Sequence, residues 1–275
     1  MARRTAWRRA FAAATALSTA ACAAPLMKLP AGPGLPAPDA ADALSQATAT
    51  CRGIKTLTAD IGISGSAGGR RVRGRLLAGA AAPASVRLEA LAPFGAPIFL
   101  FVAAGDDATL LLPRDDRVLE HGRPGAVLDA AVGVPVDASD LVTTLAGCAP
   151  PAAASPGLAR GADWRVVALS AGQARHELYL HRDGAGRPWR LVATIREGAT
   201  DGAVRTEYRD FQNGLPRTIH IRGLDREPFD LTLVLSQVET NVPLEPDVFR
   251  LEIPRSAGPI TLEELRRARL GIRED

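Results

Sequence analysis

Apolar and polar positions alternate along most of this chain. Leu57, Ala59, Ile61 and Ile63 alternate with Thr58, Asp60 and Gly62. Beyond the turn residues Ser66, Ala67, Gly68 and Gly69, Val72, Gly74 and Leu76 alternate with Arg71, Arg73 and Arg75. Val86, Leu88 and Ala90 then oppose Arg87 and Glu89. A period of two sends successive side chains to opposite faces, so each run predicts a strand with one dry and one wet face. Residues 97–103 and 108–112 are continuously apolar around the turn Gly105-Asp106-Asp107, and 117–120 form a short strand. The second half predicts strands over 164–169, 175–181, 188–196, 204–211, 217–222 and 229–238, with Asp183-Gly184 and Asn213-Gly214 as hairpin signals. Strands joined by short turns must be antiparallel, because parallel neighbours need long crossovers.

The pattern changes to helical spacing in four places. Ala40, Leu44, Ala47 and Cys51 mark a helix over 39–51, with Asp39 able to cap it. Val127, Leu128 and Ala131 mark one over 126–133; Leu141, Val142 and Leu145 mark another over 138–147. Asp137 or Ser139 can start the latter and Gly147 can stop it. Thr261 and Glu264 have capping-box spacing, and Leu262, Leu265 and Leu270 share a face of a C-terminal helix that covers an edge of the sheet. A sheet of this many strands twists and curls, and its apolar face must be covered by the few helices available. Abundant Ala and Gly with only 4% aromatic residues suit an apolar cavity under that cover. A conventionally filled core fits the same pattern.

Charge alters the reading at the N-terminus. Residues 1–21 hold Arg3, Arg4, Arg8 and Arg9, no acid, and a short Ala-rich apolar run, which reads as an export signal. Without them the formal charge of +3 becomes −1. Basic and acidic residues are otherwise interspersed, so no nucleic-acid partner is expected. No later stretch reaches the ~20 apolar residues that cross a bilayer. Small residues precede Cys22, a pattern that resembles a bacterial lipoprotein signal, in which the cysteine becomes the acylated (palmitate-bearing) first residue. Thr19 stands where that signal prefers leucine. An ordinary signal cut at Ala21 fits too. Ala23 and Ala24 follow, with no Asp, and by resemblance to Gram-negative lipoproteins this implies the periplasmic face of the outer membrane. Residues 22–38, rich in Pro and Gly, read as an anchored linker; 39–260 as the folded domain; 261–275 as a helix and tail. In an exported chain Cys51 and Cys148 could form a disulfide. Two buried free thiols are the alternative.

Enzyme motifs are weak. His176-Glu177 and His181 lack H-E-x-x-H spacing, and His121 and His220 lie apart. G-x-S-x-G, Walker and dinucleotide-binding loops are missing from the sequence. Asp106-Asp107 and Asp115-Asp116 fall in turns. No catalytic residue, metal ligand or cofactor is expected.

Two segments carry a family resemblance. Arg87 to Gly95 is a strand ending in Pro93-Phe94-Gly95, and with Leu128 to Gly147 it resembles the outer-membrane lipoprotein receptor LolB and its relatives. Asn241 to Pro254 looks like the closing strand of the wider LolA/LolB lipoprotein-carrier superfamily. The resemblance implies a mainly β fold: an incomplete barrel of about eleven antiparallel strands with a helical lid. It implies an apolar cavity that receives acyl chains or lipoproteins, with a periplasmic carrier protein as a partner. Leu88, Ala90, Phe99, Phe101, Leu128, Leu141 and Leu145 are the cavity and lid candidates. Phe94 best matches the receptor's protruding membrane-contacting loop, with a core aromatic as the other reading. A carrier or receptor is the expected function; an accessory or sensor protein on the same fold is the rival.

Overall fold

The computed structural model describes residues 25–92, 94, 97–152, 156–198, 202–225 and 229–268. Cys22, the leader before it, and Pro93 and Gly95 of the Phe94 turn lie outside the described residues, as does the tail beyond Ala268. The chain begins with β1 (Leu35–Ala37), α1 (Ala40–Ala47) and α2 (Ala49–Arg52). Six strands follow: β2 (Thr56–Ala67), β3 (Arg70–Ala81), β4 (Ser85–Leu91), β5 (Phe99–Ala104), β6 (Asp107–Leu112) and β7 (Arg117–Gly122). After α3 (Pro124–Val132) and α4 (Ala138–Ala146) come β8 (Gly157–Ala159), β9 (Trp164–Ala171), β10 (Ala174–His181) and β11 (Arg190–Glu197). β12 (Ala203–Arg209), β13 (Thr218–Gly223) and β14 (Asp230–Thr240) complete the second set, and β15 (Gly258–Pro259) and α5 (Leu262–Ala268) end the described chain.

All fifteen strands of the described residues join one sheet, in the order β1-β8-β9-β10-β11-β12-β13-β14-β2-β3-β4-β5-β6-β7-β15. Every pairing is antiparallel except the two-residue contact of β15 with β7. The fold is therefore mainly β, one open, curled antiparallel sheet. β1, β8 and β15 are too short to show any periodicity in the sequence. The two halves of the chain meet where β14 lies against β2, with Leu233 opposite Ile63 and Leu235 opposite Ile61.

This order dictates the lid. β7 lies next to one edge of the sheet and β8 next to the other, so residues 123–156 must cross from edge to edge. α3 and α4 make that crossing, packing on β6 and β4 respectively, while α5 packs on α3. Val127, Leu128, Ala130 and Leu145 face the sheet and are buried with Ile61, Val86, Phe101, Leu110, Leu178 and Ile219 in one continuous core. Gly133 and Gly147 end the two helices with φ of 75° and 62°, the left-handed conformation that side chains disfavour.

The expected caps are used differently. Asp39 makes no capping bond. Its carboxylate instead takes two bonds from the Arg165 guanidinium of β9, at 2.7 and 2.8 Å, which tie α1 to the sheet. Those bonds hold Asp39 below the usual carboxylate pKa. Asp137 accepts from the Gly125 N–H at 3.0 Å and so joins the starts of α3 and α4. The helix expected over 39–51 is broken at Thr48, whose hydroxyl donates back to the Leu44 carbonyl at 2.7 Å.

The Pro- and Gly-rich stretch also departs from a free linker. The outer face of β9–β11 carries Val166, Tyr179, Val192 and Ala193, an apolar patch where a wet face is expected. Met27 and Leu29 cover it. The strap they belong to is bonded through its backbone. The Met27 N–H donates to both Glu207 carboxylate oxygens, at 2.9 and 3.0 Å. Arg205 donates to the Met27 carbonyl. Arg209 donates to the Pro25 carbonyl at 2.7 Å, and Arg160 to that of Pro30 at 2.6 Å. A few residues on, β1 pairs with β8.

Candidate functional site

A half-open cleft of about 930 Å³ opens among the described residues. Its walls are the end of α2, the start of β2, the β3–β4 turn, α4 with the segment after it, and the β9–β10 hairpin. The volume is in the range of small-molecule pockets, roughly 300–1,000 Å³. Ile54, Leu57, Ala80, Val142, Ala146 and Ala149 supply apolar lining. Arg52, Lys55 and Arg123 supply positive charge. Cys51 and Cys148 line it too, and their sulfurs are joined, with Cα atoms 5.6 Å apart. This bond attaches the chain just after α4 to α2, at the cleft wall.

Beneath α4 the wall is polar. Asp140 of α4 pairs with Arg196 of β11 at 3.4 Å. Tyr208 of β12, fully buried, bonds to Thr144 of α4 and Thr194 of β11, and burial raises its pKa well above that of a free phenol. His176 of β10 is buried beside them. Loss of solvent pushes its pKa below the usual imidazole value, favouring the neutral form; Asp140 opposes the shift and Arg196 adds to it. These groups surround a further void of about 40 Å³ that shares His176, Asp140 and Arg196 with the cleft. That space suits a water or two, which the polar lining can hold.

The cavity and lid candidates lie mostly elsewhere. Leu88, Ala90, Phe99, Phe101, Leu128 and Leu145 are buried in the continuous core, and none of them lines the cleft. Leu141 packs partly buried against that core and lines the smaller void. Those six pack against one another in the core, and the cleft lies to one side of them. The cleft lining was not legible in advance, because it joins segments distant in sequence through the lid crossing. Phe94 lies in the β4–β5 connection, 89% exposed, with its carbonyl accepting from Arg114 at 3.2 Å. It is not a core aromatic.

Among the described residues no group of three or more His, Cys, Asp or Glu could hold a metal ion. His176 and Glu177 point to opposite faces of β10: the imidazole is buried under α4, whereas Glu177 accepts from the Tyr179 hydroxyl at 2.5 Å on the outer face. His181 stacks on Trp164, with ring centroids 4.4 Å apart. No helix of the described residues is long and apolar enough to cross a membrane.

The architecture is that of a LolA-like incomplete barrel. A LolA superfamily protein from Nitrosomonas europaea superposes with a TM-score of 0.56 at 10% identity, over 77% of this chain and 97% of that one. A putative outer membrane lipoprotein-sorting protein domain from Vibrio parahaemolyticus gives 0.51 at 12% identity, over 76% and 94%. A DUF1329 family protein from Desulfovibrio piger gives 0.50 at 10% identity, over 78% and 98%. No family model and no curated protein matches the sequence.

Proposed function

We propose that this chain is a lipid-anchored protein of the bacterial envelope that binds acyl chains or lipoproteins without chemistry and serves their localisation to the outer membrane. The cleft under α4 carries the reading. It offers room for a hydrocarbon segment between Leu57, Ala80, Val142 and Ala146, on a fold shared with a lipoprotein-sorting domain. Each methylene moved from water into such a lining contributes roughly 0.8 kcal/mol. Arg52, Lys55 and Arg123 suit an anionic head at the same mouth. Cys22 is the proposed acylation site, and Phe94, exposed on its loop, the proposed membrane contact during transfer.

The test is to purify the chain without residues 1–22 and look for bound acyl species by native mass spectrometry, then to measure displacement of a fluorescent fatty-acyl probe. Val142→Trp, which narrows the cleft between Leu57 and Ala80, should weaken probe binding and leave the fold intact. Probe binding unchanged by that substitution would remove the cleft from the argument. A second reading, an accessory or sensor protein on the same fold, is favoured by the polar floor of His176, Asp140 and Arg196. A lipid-free protein that excludes the probe would select it.

A further inference from the structure

The strap ahead of β1 is built into the domain. Glu207 projects from the outer face of β12 and is fully buried. It is neutralised by Arg205 at 2.5 Å and Arg209 at 2.7 Å, its neighbours two residues away on the same face. The three side chains close over Met27 and Pro25 and use the strap's backbone N–H and carbonyl groups as partners. Met27 and Leu29, two residues apart, place both side chains on the apolar patch of β9–β11. A spacer that only had to reach would need none of these contacts. Here Pro25, the first described residue, is fixed beside Arg209 on the side of the sheet opposite the lid.

Cys22 precedes Pro25 by three residues. Fully extended, three residues span at most roughly 10 Å. We infer that this strap makes the outer face of β12 and β13 the surface that rests against the bilayer, so that the cleft under α4 opens away from the membrane. The inference rests on the proposed acylation of Cys22. However the domain pivots on so short a leash, Arg209 and the residue opposite it in register, Thr218 of β13, stay next to the lipid headgroups. The occupant of this face is therefore the bilayer that holds the protein's own acyl chains.

The test uses the full-length acylated protein in phosphatidylethanolamine–phosphatidylglycerol vesicles containing a lipid with a nitroxide on its headgroup. A bimane probe is placed at Thr218→Cys or at Ser139→Cys, the latter exposed on α4 at the cleft. Quenching is expected at position 218 and not at 139. A Gly/Ser insert of about twenty residues after Ala24, with a mean reach of roughly 25 Å, should abolish the quenching at 218 while the protein still floats with the vesicles. Quenching at 139 equal to that at 218, or quenching at 218 indifferent to the insert, would overturn the inference and leave the anchor standing. If mass spectrometry finds Cys22 without acyl groups and the protein fails to float, the anchor and the inference fall together. Lipid binding in the cleft remains a separate question.

Discussion

Replacing Glu207 by alanine gives the sharpest test of how the outer face is held. In the parent, one carboxylate of zero exposure answers three donors: the Met27 N–H, Arg205 and Arg209. Removing it leaves two guanidinium groups, only 15% and 25% exposed, facing each other with no counter-charge. Breaking a buried ion pair by deleting one partner costs about 3–5 kcal/mol. The protein can limit that cost. If residues 25–31 lift off, water reaches both arginines, and the price becomes the loss of the Met27 and Leu29 contacts. The expected result is thus a strap that opens first. Hydrogen exchange at the Met27 amide should accelerate, trypsin should cut after Lys28, and the melting temperature should fall by several degrees, given roughly 2–4 °C per kcal/mol for a domain of this size. Deleting the strap should make Glu207→Ala much less costly, because the two changes remove the same contacts. A variant that melts with the parent and keeps its Met27 amide protected would refute this account of the face.

Other expectations follow from the site. Cys51→Ala with Cys148→Ala opens a loop of 97 residues, so stability should drop by up to about 4–5 kcal/mol on the chain-entropy model, read by urea unfolding with and without reductant. His176 has a folded pKa below its unfolded value of about 6.5, so the folded state binds fewer protons than the unfolded one. Stability should therefore decline as pH falls below the ordinary histidine value and level off beneath the folded pKa; His176→Asn should lose that part of the pH profile in thermal melts. Phe94→Ser should leave stability within about 0.5 kcal/mol, because the ring touches little, while slowing acyl-chain delivery to vesicles in a transfer assay.

Much of the sheet could be read directly from the chain. Ile61, Leu76, Leu88 and Leu233 all face the core because strict alternation leaves a strand one dry side. The lid was legible from Leu128, Leu145 and the glycine at Gly147, but not what the lid covers. Phe99 and Phe101 are apolar whether they fill a core or line a void, and periodicity cannot separate the two. The docking of the strap is hidden in the sequence for a related reason. Its prolines and glycines have the composition of a tether, whereas the signal for docking lay far away: Val192 and Tyr179 on the outer face of β10 and β11, and Glu207 between two arginines. Asp39 and Asp137 are correctly placed for caps by sequence. They bind Arg165 and Gly125 instead, donors that only the tertiary fold brings to them.

The seam between β14 and β2 has a consequence for biogenesis. β2 is one of the two longest strands, and along one side it finds its partner only in residues 230–240, near the opposite end of the polypeptide. While the chain is being synthesised, that rim of backbone amides and carbonyls stays unpaired until nearly the whole protein has been made. The early hairpins therefore present a sticky margin for aggregation before folding is complete, and a holding chaperone that masks it would raise the yield of folded protein.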